Sequence, residues 1–303
     1  MAISRAQLVK ELEPGLNALF GLEYKRYENQ HAEIYNIESS DRAFEEEVML
    51  SGFGNAQVKP EGQGISYDDA QETFTARYTH ETVALAFAIT EEAIEDNLYD
   101  RLASRYTKAL ARSMANAKQV KAASPLINCL PSTDTFDSGD GVSLFNTSHT
   151  TLSGSFANTL TTQADLNETS LEQSLIDIGE MTDERGLLIA AKGVKMIIPP
   201  ENQFNAERLT KSQGRTGTAD NDINAVNSMG MIPQGYRVNN YLTDADSWYI
   251  ITDVPNGMKM FVRAPLSTAM EGDFDTGNVR YKARERYSFG VSDPRGIFGV
   301  EGT

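Results

Sequence analysis

One cysteine and three histidines are all that 303 residues hold of the side chains that most often bind transition metals or attack substrates. Cys129 alone cannot build a disulfide framework; it fits a reducing cytoplasm and reads as a small buried hydrophobe. His31, His80 and His149 fall in an N-terminal segment, a strand pattern and a loop, without the HxxxH or CxxC spacing of a zinc site. Neither metal nor cofactor is expected. Ser143 and Ser148, near His149, sit in no GxSxG elbow, so the sequence reads as that of a non-enzyme. Asp134, Asp137 and Asp140, and the run Asp273-Phe274-Asp275-Thr276-Gly277, lack the DxDxDG order and the closing Glu of a calcium loop. Gly52-Phe53-Gly54 and Gly62-Gln63-Gly64 open no helix after a strand, which removes a nucleotide-binding reading.

Long apolar runs are also missing. No stretch approaches the length that spans a bilayer, and the opening MAISRAQLVKELEPG has no apolar signal core, so neither membrane insertion nor secretion is expected. Basic charge is short as well: 27 Lys and Arg stand against 43 Asp and Glu, a formal net charge of -16. Proteins that grip DNA by neutralising its phosphates carry the opposite excess, so sequence-specific DNA binding is disfavoured. What remains is a chain long enough for a substantial core, with 40% hydrophobic residues.

The segment 1–44 begins with Leu8, Leu12, Leu16, Leu19 and Phe20 at helical spacing, interrupted by Pro14-Gly15, and then turns polar; such an arm is expected to lie on a neighbour or a partner. The segment 45–82 is Gly-rich and then alternates at Phe74, Ala76 and Tyr78, as the return strand of an extended hairpin would. Parity changes before Val83, Leu85, Phe87 and Ile89, which requires a bend near His80 to Thr82. In 83–165, Thr90-Glu91-Glu92-Ala93 starts a helix, and Ile94, Leu98, Leu102, Tyr106, Leu110 and Met114 recur every four residues with no Gly or Pro before Pro125. That predicts a rod of about 50 Å. The segment 166–263 mixes helices over 169–184 and 201–210 with strands over 194–198, 236–242, 248–252 and 258–262. In 264–303, Val279, Tyr281, Ala283, Tyr287, Phe289 and Val291 share one parity, and Arg280, Lys282, Arg284 and Arg286 form a basic ladder on the other.

The run Asp140-Gly141-Val142-Ser143-Leu144-Phe145-Asn146-Thr147-Ser148-His149, with Asn158 and Leu160 after it, resembles the DGxxLF-xxxH and NL signature of Mu-type head subunits. Asp183-Glu184-Arg185-Gly186, Lys195 to Pro200 and Ala206-Glu207-Arg208-Leu209 are similar to another passage of the same family. Two departures are Thr150, where relatives often have Pro, and Thr159, which separates Asn158 from Leu160. The chain is therefore identified as a member of the tailed-bacteriophage major capsid family. The resemblance implies an α+β fold of the kind named after phage Hong Kong ninety-seven. Its parts would be an N-terminal arm (1–44), an extended loop (45–82), a peripheral domain with a spine helix (83–165), an axial α/β domain (166–263) and peripheral return strands (264–303).

It implies self-assembly into hexamers and pentamers of an icosahedral or prolate head that encloses double-stranded DNA without reading its sequence. An acidic wall suits that task by repulsion. A separate scaffolding protein, a portal and a decoration protein are the implied partners, and assembly in the bacterial cytoplasm followed by a place in the virion capsid is the implied location. Phe53, Lys59 and Phe74 are expected at a subunit interface through the extended loop. Arg280, Lys282, Arg284 and Arg286 are expected at another, through salt bridges rather than nucleic acid. Asp140, Gly141, Phe145 and His149 form the signature loop, where His149 is expected to fix the loop by a hydrogen bond. Some relatives crosslink a lysine to an asparagine; Lys59 has no identifiable partners for that reaction. The alternative is an encapsulin-like compartment that packages protein.

Overall fold

The computed structural model describes residues 5–90, 92, 99–131, 139–215, 222–273 and 277–303. The expected helix start at Glu91 and Ala93, the stripe positions Ile94 and Leu98, and Asp134, Asp137 and Asp275 lie outside these residues.

Helix α1, Arg5–Arg26, runs through Pro14 instead of stopping there. A proline forfeits one main-chain bond, and burial of Leu16 and Phe20 against the protein's own Ala103, Leu110, Ala111 and Met114 offsets that loss. The buried side of the arm thus lies on its own subunit from Leu16 onward. Helix α2, Tyr99–Ile127, has 29 residues, about 44 Å at 1.5 Å per residue. Its buried side follows Ala103, Thr107, Leu110, Ala111, Met114, Ala122, Ala123 and Leu126. Tyr106 is 50% exposed, because a strict four-residue step drifts about 40° per repeat away from a 3.6-residue helix face.

Strands β1 (Asn36–Ser39), β10 (Met258–Gly272), β11 (Val279–Val291) and β4 (Glu81–Ile89) form one sheet in the order β1-β10-β11-β4. β10 far exceeds the expected 258–262: past Val262 its alternation is broken by Arg263 and Pro265 at irregular register, and pairing with β11 rather than pattern carries it on to Gly272. One face of this sheet receives α2, with Tyr281 and Ala283 in the shared cluster. A second sheet orders β12 (Ile297–Val300), β9 (Trp248–Thr252), β7 (Gly193–Ile198) and β8 (Tyr236–Val238). Helices α3 (Glu168–Gly179), α4 (Gln203–Lys211) and α5 (Ala225–Met229) accompany it. α3 opens on a capping box between Asn167 and Ser170, and its Leu171, Leu175 and Ile178 enter a core with Trp248, Ile250 and Phe298. The two sheets approach where Gly257 and Gly296 pass back to back; a Cβ on Gly257 would lie 2.8 Å from the Gly296 Cα.

Candidate functional site

β2 (Phe44–Leu50) and β3 (Glu72–Thr79) pair antiparallel, with Phe44 opposite Thr79 and Glu47 opposite Ala76. The alternation gives the hairpin two faces. Ala76 and Tyr78 pack inward on Phe261, while Phe44, Val48 and Leu50 face outward. The chain leaves this hairpin and enters the large sheet across His80, whose Nε2 meets Ser40 Oγ at 2.9 Å and whose Nδ1 meets Ser288 Oγ at 3.0 Å. Burial lowers the basicity of His80, and nearby Arg286 lowers it further. A second clamp joins buried Lys259 to Glu47 at 2.5 Å and Glu38 at 3.3 Å, with Tyr78 Oη against Ser292 Oγ at 2.5 Å. The base of the hairpin is thereby fixed to the sheet.

Beyond it, residues 51–71 carry no helix or strand. Phe53 is 61% exposed, Ile65 71%, and Val58 and Tyr67 are each 93% exposed. Lys59 is exposed too, whereas Phe74 is half-buried within the hairpin. Asp68 links the tip to the body: Gly54 N–H donates to Oδ2 at 2.6 Å and Arg185 Nη2 to Oδ1 at 2.7 Å. Those donors hold the Asp68 carboxyl below its usual range, the Gly54 bond contributing most.

The basic ladder lies on the sheet face opposite α2. Arg280, Lys282 and Arg284 are exposed and Arg286 is half-buried. Their cross-strand neighbours are small on one side, Ala88, Ala86 and Ala84 of β4, and on the other Glu271, Ala269 and Ser267 of β10. Arg280 pairs with Asp273. Lys282, Arg284 and Arg286 have no ion pair among the described residues. Glu285 interrupts the apolar parity of β11: it is buried, and Lys118 of α2 reaches it at 2.5 Å while also donating to Tyr24 Oη at 2.8 Å. Burial alone would lower the Lys118 ammonium, but Glu285 and Tyr24 outweigh it and raise its pKa.

The signature loop is an anchor, not an exposed surface. Fully buried His149 has Nδ1 2.6 Å from Asp140 Oδ2, and Nε2 3.1 Å from the Leu144 carbonyl and 3.0 Å from Asn158 Oδ1. Asn158 donates onward to the Leu144 and Pro294 carbonyls, at 2.6 and 3.1 Å. The His149 ring stacks on the Phe156 ring at 4.8 Å, and the Arg295 guanidinium covers the Phe156 ring at 4.1 Å. Arg295 is itself buried, with Nη2 2.7 Å from Glu184 Oε1, Nη1 3.3 Å from Asp293 Oδ1, and Nε donating to the Thr182 carbonyl at 2.8 Å. Gly141 takes φ +85°, a left-handed conformation that costs other residues strain. Phe145 packs at 5.4 Å on Tyr249 and over Gly299, where a Cβ would meet its ring at 2.5 Å. The expected loop-fixing hydrogen bond at His149 corresponds to this network, but Phe156, Arg295 and Glu184 were not among the expected site residues. Their signal was the pair of charged tetrapeptides, Asp183 to Gly186 and Asp293 to Gly296, whose Glu and Arg meet in the fold.

Among the described residues no group of His, Cys, Asp and Glu could hold a metal ion, and no helix is long and apolar enough to cross a membrane. The family model described as phage capsid protein matches residues 72–300. The chain belongs to that family. This capsid protein is a structural shell subunit of the virion, not an enzyme. Its α+β fold is Hong Kong ninety-seven-like. It is similar to the capsid of an empty GTA particle (TM-score 0.55, 11% identity, 91% of each chain) and to the capsid of Myoviridae phage XM1 (TM-score 0.55, 12% identity, 89% of each chain). It is also similar to the virus-like particle of Pyrococcus furiosus (TM-score 0.53, 10% identity, 94% of this chain and 98% of that one). No curated protein matches the capsid protein.

Proposed function

We propose that the capsid protein assembles into hexamers and pentamers of a closed head that encloses double-stranded DNA without reading its sequence. Assembly would take place in the bacterial cytoplasm, with a separate scaffolding protein, a portal and a decoration protein as partners. In this reading residues 1–44 are the arm, 45–82 the extended loop, 83–165 and 264–303 the peripheral domain, and 166–263 the axial domain. The observation that carries it is the hairpin tip. Val58, Ile65 and Tyr67 are each more than 70% exposed, and a surface of that kind is stabilised by a partner. Phe53 and Lys59 belong to the same contact, and the unpaired Lys282, Arg284 and Arg286 supply a second one for acidic side chains of another copy. Heterologous contacts of this kind close into rings when the rotation between copies permits.

Electron microscopy of the purified protein, with light scattering on the eluted species, tests the reading. Closed shells or rings of five and six copies are expected, and a monomer under every assembly condition would sink it. A protein-packaging, encapsulin-like compartment is the second reading, favoured by the likeness to the Pyrococcus furiosus particle over nearly the whole of both chains. Nucleic acid inside purified shells supports the first; a protein cargo without nucleic acid supports the second.

A further inference from the structure

From residue 101 to residue 127 the sequence has six bases, Arg101, Arg105, Lys108, Arg112, Lys118 and Lys121, and no Asp or Glu, in a chain whose net charge is -16. Lys118 and Lys121 are engaged by Glu285 and Glu81. Arg105, Lys108 and Arg112 are exposed on α2 and have no ion pair among the described residues. Their spacing of three and four puts them in one row along the helix, over about 10 Å of rise. Like charges at that spacing destabilise an isolated helix, so the row is a cost in the free subunit that the described residues do not offset.

The row borders a groove between α2 and α1 of about 530 Å³, lined by Glu23, Tyr27, Lys108, Arg112, Ser113 and Asn116. Ser113 and Asn116 add neutral donors to the two cations. Glu23 is already occupied, by Tyr27 Oη at 3.4 Å and Arg26 at 3.7 Å. The exposed residues between the bases include Ala109, Ser113 and Asn116, and Tyr106 leans on Phe87 at 5.8 Å. A protein partner docks on a cluster of aromatic or aliphatic anchors; the large apolar side chains exposed beside this row are the separated Tyr106, already packed on Phe87, and Val120, one turn beyond Asn116. Phosphate contacts need only cations and hydrogen-bond donors.

We propose that the Arg105, Lys108 and Arg112 row binds the phosphodiester backbone of double-stranded DNA without sequence preference, so that the helical layer forms the genome-side wall of the shell. This rests on the reading of a shell that encloses DNA. A mostly acidic wall keeps the genome at a distance, and a short basic row on each subunit gives it discrete points of contact.

The test is fluorescence anisotropy of a short duplex of arbitrary sequence titrated with unassembled subunit. Three neutralised phosphates give a log–log salt slope of about -2.7, which weakens binding about 40-fold between about 50 and 200 mM salt. Arg105→Gln, Lys108→Gln and Arg112→Gln together should flatten that slope, with circular dichroism unchanged because the three side chains are exposed. Lys282→Gln with Arg284→Gln should leave the slope as in the unaltered protein. The proposal is overturned by an absence of duplex binding at low salt, by a helix variant that binds like the unaltered protein, or by polyglutamate competing as well as duplex at equal charge. DNA-filled shells with no measurable slope would overturn this inference alone. Shells holding protein in place of DNA would overturn the enclosing function on which it rests, whatever the slope.

Discussion

Residues 139–160 and residues 51–71 are both punctuated by Gly and both poor in regular structure, yet the first is held from within and the second is not. In the signature loop Ser143, Leu144, Phe145, His149, Phe156 and Asn158 are buried, and the polar ones find partners inside the subunit. In the hairpin tip Phe53, Val58, Ile65 and Tyr67 face outward, and Asp68 is the main link to the body. Their Gly content does not separate these two cases. The difference lies in burial: Glu184, Asp293 and Arg295 meet the first loop in the interior, whereas Arg185 reaches Asp68 of the second at the exposed surface.

The largest expected effect is therefore in the anchored loop. Arg295→Met leaves the buried Glu184 and Asp293 carboxylates without their cation, which should cost about 3–5 kcal/mol. Urea denaturation of the unassembled subunit reads this directly, and a loss under about 1 kcal/mol would place the loop's anchorage elsewhere. Next comes one substitution made in both places. Gly141 and Gly62 have φ of +85° and +79°, and neither has an atom within 4 Å of an added Cβ. Gly141→Ala should cost about 1 kcal/mol because its loop cannot rearrange. Gly62→Ala should leave the urea midpoint unchanged, since the tip can relax; equal costs would erase the distinction.

Smaller still is the stability effect of Val58→Ser, Ile65→Ser and Tyr67→Ser combined, expected within about 0.5 kcal/mol of the unaltered subunit. Shells should nevertheless fail to form, as micrographs would show. Intact shells would mean that the tip contributes nothing to assembly.

The subtlest contrast is in two carboxyls. Burial raises the pKa of Asp293, an effect that Arg295 only partly offsets, whereas donors lower that of Asp68. A raised carboxyl means that the folded state holds more protons than the unfolded one, so Asp293 subtracts stability as pH climbs from its unfolded value through its folded one. Asp68 has the opposite sign: what it contributes is present above the unfolded value and is lost as pH falls through the folded one. Carbon-13 titration of the two side chains should place Asp293 above 3.8 and Asp68 below it. The reverse order would contradict the burial of one and the bonding of the other.

Much of this was legible in the sequence because it is local. The alternation of β11 located it from Val279 to Val291, and the Asp140 to His149 run marked the signature loop before its bonds were known. Three features were not legible. Pro14 suggested a break that packing of Leu16 and Phe20 overrides. The outer half of β10 is cut off from its readable start by Arg263 and Pro265, and pairing with its partner strand carries the chain across that break. Glu285 sits at an apolar position because Lys118, far away in sequence, is there to receive it. Each depends on residues that come together only in the folded chain, and periodicity carries no information about them.

Gly257 and Gly296 bring the two sheets together with backbone alone. A mutational map of this protein would therefore read backwards at those positions. Alanine scanning is designed to subtract atoms, and here it adds one, so the mildest replacement in the usual repertoire becomes a wedge. A scan scored as loss of contacts would credit these glycines with interactions they do not make, when their contribution is the space they leave.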